Sequence, residues 1–488
     1  MTPTRMQNLF QPFVAQFRRV LPFTLASLAA ATAIVVPGIA QTVVPPGLSG
    51  STAPTSADFQ GSITAGQATG DTLSLTLDDA VQRGLKNNLG LLLSGTQTAN
   101  TRGQRLQELQ ALLPSIDASA KESLAQVDLA AEGLKIPGFP TIIGPYGYTD
   151  LRVNLSWSLL NLNALRTYMS AKHSFKAAQL SAEDSRQMVI LTVGNAYLLV
   201  VADQARIDTT EAEVKTSKVS LDQASDSHAA GTSPKLDVLR AQVDYQSLEQ
   251  QLIVARNQLE KDKLALARTI GLPLEQKFTL ADTVPYSAFD QPNVQEAIKQ
   301  ALANRKDRSA SIETTAADVD QRKAATADRL PTIKAEADYG DIGVNVRTSH
   351  GTGNATGTVT IPIFKEAQFR GEAGVAQSQL DEQRDKQSDL DAQIEADVRD
   401  ALLDIASSQQ QVEVSKSNVD LSTEALSEAQ QRYTAGVSDN LAVSQAQQSQ
   451  AQANGQYINS LYQHNVAKLN LARAMGVAQN YKDFLGGK

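Results

Sequence analysis

Apolar residues recur at every seventh position in two long stretches of this chain. The first series is Val193, Val200, Ile207, Val214 and Leu221. It returns 205 residues later as Val398, Ile405, Val412, Val419 and Leu426. A sustained seven-residue repeat predicts a coiled-coil helix that packs on a partner helix along its whole length. Proline is absent from both stretches, so nothing in the sequence interrupts them.

Helices are expected in six segments that glycine or proline bounds: 77–112, 161–229, 234–270, 293–329, 365–435 and 440–475. The two long helices end at turns that contain Gly231 and Gly436, where glycine supplies the backbone geometry of a helix end. At ~1.5 Å per residue each long helix measures about 105 Å. Two shorter helices laid end to end match one long helix, which predicts a layered α-barrel of antiparallel helices.

Four other segments alternate between apolar and polar residues: 115–124, 151–159, 332–339 and 355–363. Alternating segments of ~9–11 residues suit tilted strands that cross an outer membrane with their polar face toward a lumen. A soluble antiparallel sheet with one face on a core is the alternative. Four strands cannot close a barrel, and open edges are not tolerated in lipid. Membrane strands would therefore require two, three or four copies of the chain.

The chain contains an internal repeat. Residues 80–87 match 297–304 at a spacing of 217, and residues 266–271 match 471–476 at a spacing of 205. Such matches in register predict two halves with the same helix-strand-strand-helix plan. We expect these segments: first repeat 73–272, connecting segment 273–292, second repeat 293–476 and C-terminal tail 477–488.

The sequence of residues 1–40 is typical of an export signal. Three arginines precede an apolar stretch that ends with small residues at Gly38 and Ala40. An uncleaved membrane anchor is the alternative, but Pro22 and Pro37 bracket a core of about 14 residues, fewer than the ~20 that a spanning helix needs. The following residues, up to position 72, are mostly Pro, Gly, Ser, Thr and Ala and predict a flexible leader over 41–72.

Composition and charge exclude several function classes. Forty-four Lys and Arg against 52 Asp and Glu give a net charge of −8, so no basic field is present to attract nucleic acid. The chain has no cysteine, which excludes disulfides and thiolate metal sites. The four histidines form no ligand pair, and no phosphate-binding loop or nucleophile elbow occurs. We therefore expect no catalytic site, metal or cofactor, and no enzyme.

The export signal, the duplicated halves, the Leu-Pro pairs before strands and the Gly-x-Ser turns together closely resemble the TolC-like outer membrane efflux protein family. The resemblance covers about 73–475. It implies a mainly α fold with a membrane β-barrel part, in which a homotrimer forms a 12-stranded barrel in outer membrane lipid above a periplasmic helix tunnel. It also implies docking to a periplasmic adaptor, the membrane fusion protein, and to an inner-membrane pump or ABC exporter.

The resemblance also implies a gate at the first glycine turn. In this family both turns lie at the periplasmic entrance of the tunnel. The stretch that begins at Gly231 and includes Ser233 resembles the family's first turn. Asp237 matches an acidic position that holds the entrance closed.

The second glycine turn departs from the family pattern. Its Gly436 and Ser438 match, but the acidic positions that follow correspond to Ala442 and Gln445. Asp439 lies close by and is the candidate to supply the missing charge. Tyr433 matches an aromatic gate position, and packing at the end of the seven-residue series is its alternative role.

These inferences predict a passive outer-membrane exit duct that is gated by movement of the helix tips. One alternative is a structural periplasmic coiled-coil protein or adhesin without a pore, which would not require the four alternating segments. An exported enzyme is another alternative, and the absent motifs argue against it. The sequence leaves the cargo open among drugs, metal ions and proteins.

Overall fold

The computed structural model of the chain describes residues 57–131, 133–134, 137–282 and 286–486. The predicted export signal and the first part of the predicted leader lie outside these residues. The helices in the described part are α1 (Leu77–Asn87), α2 (Leu89–Gln110), α3 (Leu162–Ala229), α4 (Lys235–Ile270), α5 (Val294–Asn304), α6 (Lys306–Ala327), α7 (Glu366–Thr434), α8 (Asn440–Ala474) and α9 (Tyr481–Leu485). The strands are β1 (Leu73–Leu75), β2 (Ser115–Asp128), β3 (Ile142–Leu160), β4 (Phe278–Leu280), β5 (Thr332–Gly343) and β6 (His350–Thr360).

Strands β2, β3, β5 and β6 form one antiparallel sheet in the order β2-β3-β5-β6. Its register pairs Val153 with Ala118 on one side and with Tyr339 on the other, so one face of the sheet is apolar. This face is exposed in the single chain, with Trp157 at 41% and Leu159 at 52%. A soluble sheet would cover such a face with a core, so the exposed face favours membrane strands.

All four strands differ in extent from their predicted segments: β2 continues to Asp128, β5 continues to Gly343, and β3 and β6 differ at the ends described next. β3 begins at Ile142 rather than near Leu151, because Gly144, Pro145 and Gly147 hide any alternation from the sequence. β6 ends at Thr360 rather than at 363, because the proline at position 362 cannot donate to the sheet. Backbone pairing with neighbouring strands decides both limits, and the sequence pattern does not record it.

The two long helices contain 68 and 69 residues. The segments 77–112 and 293–329, each expected as one helix, are instead divided at Asn88 and Arg305. Both residues are extended, with ψ of 131° and 125°. The side chain of Asn88 stabilises this break, since its Oδ1 accepts from the Gly90 amide at 3.0 Å and its Nδ2 donates to the Phe59 carbonyl at 2.6 Å.

The apolar stretch of α3 forms part of the core. By length and composition α3 could cross a membrane, but Val189, Val193 and Tyr197 are fully buried. Val193 packs closely on Gly84 of α1, and α8 contacts the same stretch through Leu469. A second cluster joins α5, α7 and α8 in the other half. Helix packing therefore accounts for the hydrophobicity of α3.

Part of the segment predicted as a flexible leader packs on the rest of the chain. Phe59 is 6% exposed and packs against Gly90. The amide of Ile63 donates to the carbonyl of Asn87 at 2.9 Å, and the amide of Ala65 donates to Gly271 at 2.9 Å. Two large apolar residues, Phe59 and Ile63, were too weak a sequence signal for this packing.

The connecting segment and the C-terminal tail both contain residues that pair or pack with the rest of the chain. β4 lies in the segment 273–292 and pairs in parallel with β1, so the described part has two strands beyond the four that were predicted. In the tail, Tyr481 is buried and its hydroxyl donates to Asp78 of α1 at 2.7 Å. These contacts attach both segments to the first half of the chain.

Candidate gate at the two helix turns

Both long helices end in the same turn. At the first turn Gly231 has φ of +76°, its amide donates to His228 at 2.9 Å, and the amide of Thr232 donates to Ser227 at 2.9 Å. Gly436 has φ of +72° and its turn makes the same two bonds, at 3.0 and 3.1 Å. This pair of bonds is the Schellman motif, in which glycine adopts the left-handed conformation at low cost.

The two turns border one cleft of about 910 Å³. Six of the seven predicted gate residues line it: Ser233, Asp237, Tyr433, Gly436, Ser438 and Asp439. The seventh, Gly231, lies directly beside the lining residue Thr232. The amide nitrogen Nδ2 of Asn440 donates to the backbone carbonyl of Asp237 at 3.3 Å and so joins the start of α8 to the start of α4.

Asp237 carries a buried carboxyl group. The residue is 5% exposed, and its nearest cation in the described part of the chain is Arg240, at 3.8 Å between Nη1 and Oδ1. A separation of 3.8 Å is too long for a hydrogen bond. Burial of a carboxylate is costly unless it is hydrogen-bonded. The first turn of α4, where a negative charge is favourable, therefore carries a buried acid whose one ion pair in the described part of the chain is long.

Two hydroxyl groups in the cleft are buried without a hydrogen-bond partner among the described residues, those of Tyr433 and Ser233. The backbone carbonyl of Ser233 is hydrogen-bonded to Nδ1 of His228 at 2.9 Å, which fixes the turn but not its hydroxyl. Buried hydroxyl groups normally find partners. These unpaired hydroxyl groups lie beside the carboxyl of Asp237, so the cleft is a surface whose polar groups lack partners within the described chain.

Asp439 is the N-cap of α8, but its side chain makes no capping hydrogen bond. It contrasts with Asn161, whose side chain accepts from the amide of Ala164 at the start of α3. Asp439 is exposed, and a negative charge at this end of the helix is favourable. Its carboxylate is therefore available to act as the charge of the second turn.

Sequence reasoning missed Asn440, which is 2% exposed. It also missed the hydrogen bond between Ser444 of α8 and Asp244 of α4. Both contacts join the two halves, and only the folded chain brings their partners together. In the described ranges no group of three or more His, Asp or Glu could hold a metal ion.

The duplicated plan, the exposed apolar sheet face and the paired long helices define the fold class of outer membrane channels with a helical barrel. A family model described as "Outer membrane efflux protein" matches residues 80–272 and 297–477. The chain belongs to this family, whose members are outer membrane channels. The predicted mainly α fold with long helices, the family, the outer-membrane location and the efflux function are thereby confirmed.

Curated relatives carry names of the same kind. The chain is 23% identical over 426 residues to the "Probable efflux pump outer membrane protein TtgC" of Pseudomonas putida, with 82% of each chain covered. It is 22% identical to the "Pyoverdine export outer membrane protein OpmQ" of the same species, covering 67% of this chain and 70% of the relative.

Solved structures show the same fold. The Campylobacter jejuni outer membrane channel CmeC matches with a TM-score of 0.74 and 19% identity, over 88% of this chain and 95% of that chain. The outer membrane protein VceC of Vibrio cholerae matches with a TM-score of 0.72 and 18% identity, over 82% and 96%.

Proposed function

We propose that three copies of this chain form a passive exit duct without a catalytic step, closed at its periplasmic end by the turns of Gly231 and Gly436. The observation that carries the proposal is the incomplete cleft between the turns, where buried polar groups lack partners. In the closed duct, contacts between copies would supply hydrogen-bond partners for these polar groups. Loss of those contacts would open the duct.

The edges of the sheet support assembly of several copies. β2 and β6 are the outer strands, and each pairs on one side only within the described chain. Because the four strands alternate in direction, β6 of one copy can pair antiparallel with β2 of the next. Three copies would close a 12-stranded barrel without a free edge. The apolar face would then contact outer membrane lipid.

Exposed apolar rows on two helices support the same assembly. On α4, Leu239 is 50% and Val243 is 64% exposed. On α7, Val414 is 62% and Leu421 is 61% exposed. Apolar rows along coiled-coil helices require a partner. We propose that these rows meet between neighbouring copies in the helix tunnel.

The energy for transport would come from an inner-membrane pump or ABC exporter, which a periplasmic adaptor connects to the two turns. Relatives are named for efflux of toluene and export of pyoverdine. These names favour small organic molecules over proteins as cargo. The duct would contact its cargo weakly, since the residues at the two turns form a gate rather than a binding pocket.

Mass and conductance test this proposal together. Protein extracted from outer membranes in mild detergent should have the mass of three chains and give small single-channel openings in a planar bilayer. A monomer or dimer without conductance would contradict the duct and leave the exposed sheet face unexplained.

Asp237→Asn should increase leak through the closed duct. The substitution keeps the shape of the side chain but removes the charge that contacts between copies would compensate. Loss of about 1–2 kcal/mol from the closed state changes the ratio of open to closed channels by a factor of about 5–30. Single-channel open probability measures the change directly.

The matched control is Asp222→Asn. Asp222 lies on α3 and makes an exposed ion pair with Lys218 at 3.0 Å, and such pairs contribute little. Its open probability should equal that of the unaltered protein. Equal values for both variants would remove Asp237 from the gate while leaving the duct itself in place.

A further inference from the structure

Four helices lie side by side in the same order as the strands of the four-stranded sheet. α2 packs on α3, α3 packs on α6, and α6 packs on α7. Within the described chain α2 and α7 are therefore the outer helices of this row, just as β2 and β6 are the outer strands of the sheet. Each outer helix has one side that no other helix of the row covers.

The internal repeat relates these four helices to one another. α2 (Leu89–Gln110) and α6 (Lys306–Ala327) correspond at the spacing of 217 residues, and α3 and α7 correspond at the spacing of 205. The contact of α3 with α6 inside the chain therefore has an equivalent, in which α7 packs on α2. Since these two helices lie at opposite ends of the row, the α2 of this equivalent contact belongs to a second copy.

The side of α2 that corresponds to the covered side of α6 is exposed. On α6, Ala310 is 6% and Asp320 is 4% exposed. Their equivalents on α2 are Leu93, which is 40% exposed, and Gly103, which is also exposed. On α7, Gly371 is exposed as well. The repeat thus covers this surface in one half of the chain and leaves it uncovered in the other.

The two contacts differ in their charges. Three pairs of ionisable side chains join α3 to α6: Arg166 with Asp320 at 3.4 Å, His173 with Glu313 at 2.8 Å, and Glu183 with Lys306 at 3.1 Å. Their equivalents on α7 and α2 are all neutral: Gly371 with Gly103, Ser378 with Thr96, and Ser388 with Leu89. Lys176, which also pairs with Glu313, corresponds to Asp381, and Asp381 accepts from Gln377 of its own helix at 2.8 Å.

Nothing in the described part of the chain requires glycine at positions 103 and 371. Both residues lie inside helices, where glycine is destabilising relative to alanine. The space around the Cβ position of each is open, with no neighbouring element within 4 Å. A helix of another copy that approached at this point would make use of both glycines, because two backbones without side chains can come close together.

We propose that α2 of one copy packs on the first turns of α7 of the next copy, with Gly103 facing Gly371. The proposal rests on the proposed assembly of several copies, and it continues the pairing of β6 with the next β2 into the helices that adjoin these strands. α6 of another copy could not replace α2 here. Its Asp320 and Glu313 would be buried against Gly371 and Ser378 without a cation.

Cross-linking of the full-length protein in outer membranes tests this contact. The chain has no cysteine, so only an added pair of thiols can react. Two matched pairs combine equivalent positions: Gly103→Cys with Gly371→Cys, and Leu89→Cys with Ser388→Cys. A short bismaleimide should link each matched pair between copies and give covalent trimers on a denaturing gel. The second pair leaves both glycines unchanged, so it reports the contact even where cysteines at 103 and 371 weaken the assembly.

The crossed pairs use the same four positions as controls: Gly103→Cys with Ser388→Cys, and Leu89→Cys with Gly371→Cys. Leu89 and Gly103 are 14 residues apart on α2, which is about 21 Å along the helix. A short linker cannot span this offset, so the crossed pairs should give at least about tenfold less linked product than the matched pairs.

The native mass of the complex in mild detergent separates this contact from the proposed duct. Three chains without linkage of either matched pair, or with equal yields from matched and crossed pairs, would overturn the contact and leave the duct in place. Matched linkage in a complex of two or four chains would support the contact and overturn the assembly of three copies. A monomer would overturn both.

Discussion

Gly476→Ala should lower the free energy of unfolding by about 2–5 kcal/mol. Gly476 has φ of +72°, and a left-handed backbone costs an alanine about 1–2 kcal/mol. An added Cβ would also lie 2.8 Å from the nitrogen of Arg305 and 2.9 Å from the carbonyl carbon of Asn304. Both are backbone atoms that cannot rotate away, and overpacking costs about 1–3 kcal/mol. Denaturant unfolding followed by circular dichroism in detergent measures the loss.

Gly436→Ala separates the two causes. This glycine has the same φ of +72°, but nothing lies within 4 Å of its Cβ position. Its loss should therefore be limited to the backbone cost of about 1–2 kcal/mol. If both variants lost the same free energy of unfolding, the close approach of Gly476 to the break at Arg305 would make no contribution to stability.

The first half repeats this arrangement. Gly271 has φ of +74°, and a Cβ there would lie 2.6 Å from the carbonyl oxygen of Ile63 and 2.7 Å from Cβ of Asn87. The repeat in the sequence predicted that both glycines were equivalent. It did not show why glycine is required, because the atoms that exclude a side chain come from distant parts of the chain.

Regular periodicity explains how much of the fold could be predicted. The seven-residue series required long helices, and alternation required strands, so α3, α7 and the four-stranded sheet followed from local pattern. The breaks at Asn88 and Arg305 did not follow, because neither residue is a helix breaker. Their extended backbones depend on hydrogen bonds to other elements, such as the bond of Asn88 to Phe59.

The sequence predicted the positions of the two turns of the candidate gate but not the contacts between them. Glycine and the following polar residues marked both turns, and the structure gathers them around one cleft. Burial of Asp237 could not be foreseen, since a charged residue in the first turn of a helix is usually exposed. Contacts between α4 and α8, such as that of Asn440, depend on how the halves pack, which local pattern does not encode.

Arg473→Met should cost about 3–5 kcal/mol of unfolding free energy, because it leaves a buried charge without its partner. Arg473 of α8 and Asp184 of α3 join the two halves, with 2.7 Å between Nη2 and Oδ1 and side chains only 13% and 18% exposed. Burial already raises the pKa of Asp184 in spite of the arginine. Chemical unfolding of the variant at neutral pH measures the loss.

The internal repeat supplies the control for this variant. Arg268 occupies the position equivalent to Arg473 in the first half, and it is exposed, so Arg268→Met should stay within about 0.5 kcal/mol of the unaltered protein.

Without Arg473 the carboxyl of Asp184 binds a proton more readily, and the neutral form avoids the cost of a buried charge. The loss caused by Arg473→Met should therefore be smaller at pH 5 than at pH 8. A loss that is the same at both pH values would mean that packing of the arginine stem, rather than its charge, holds the two halves together.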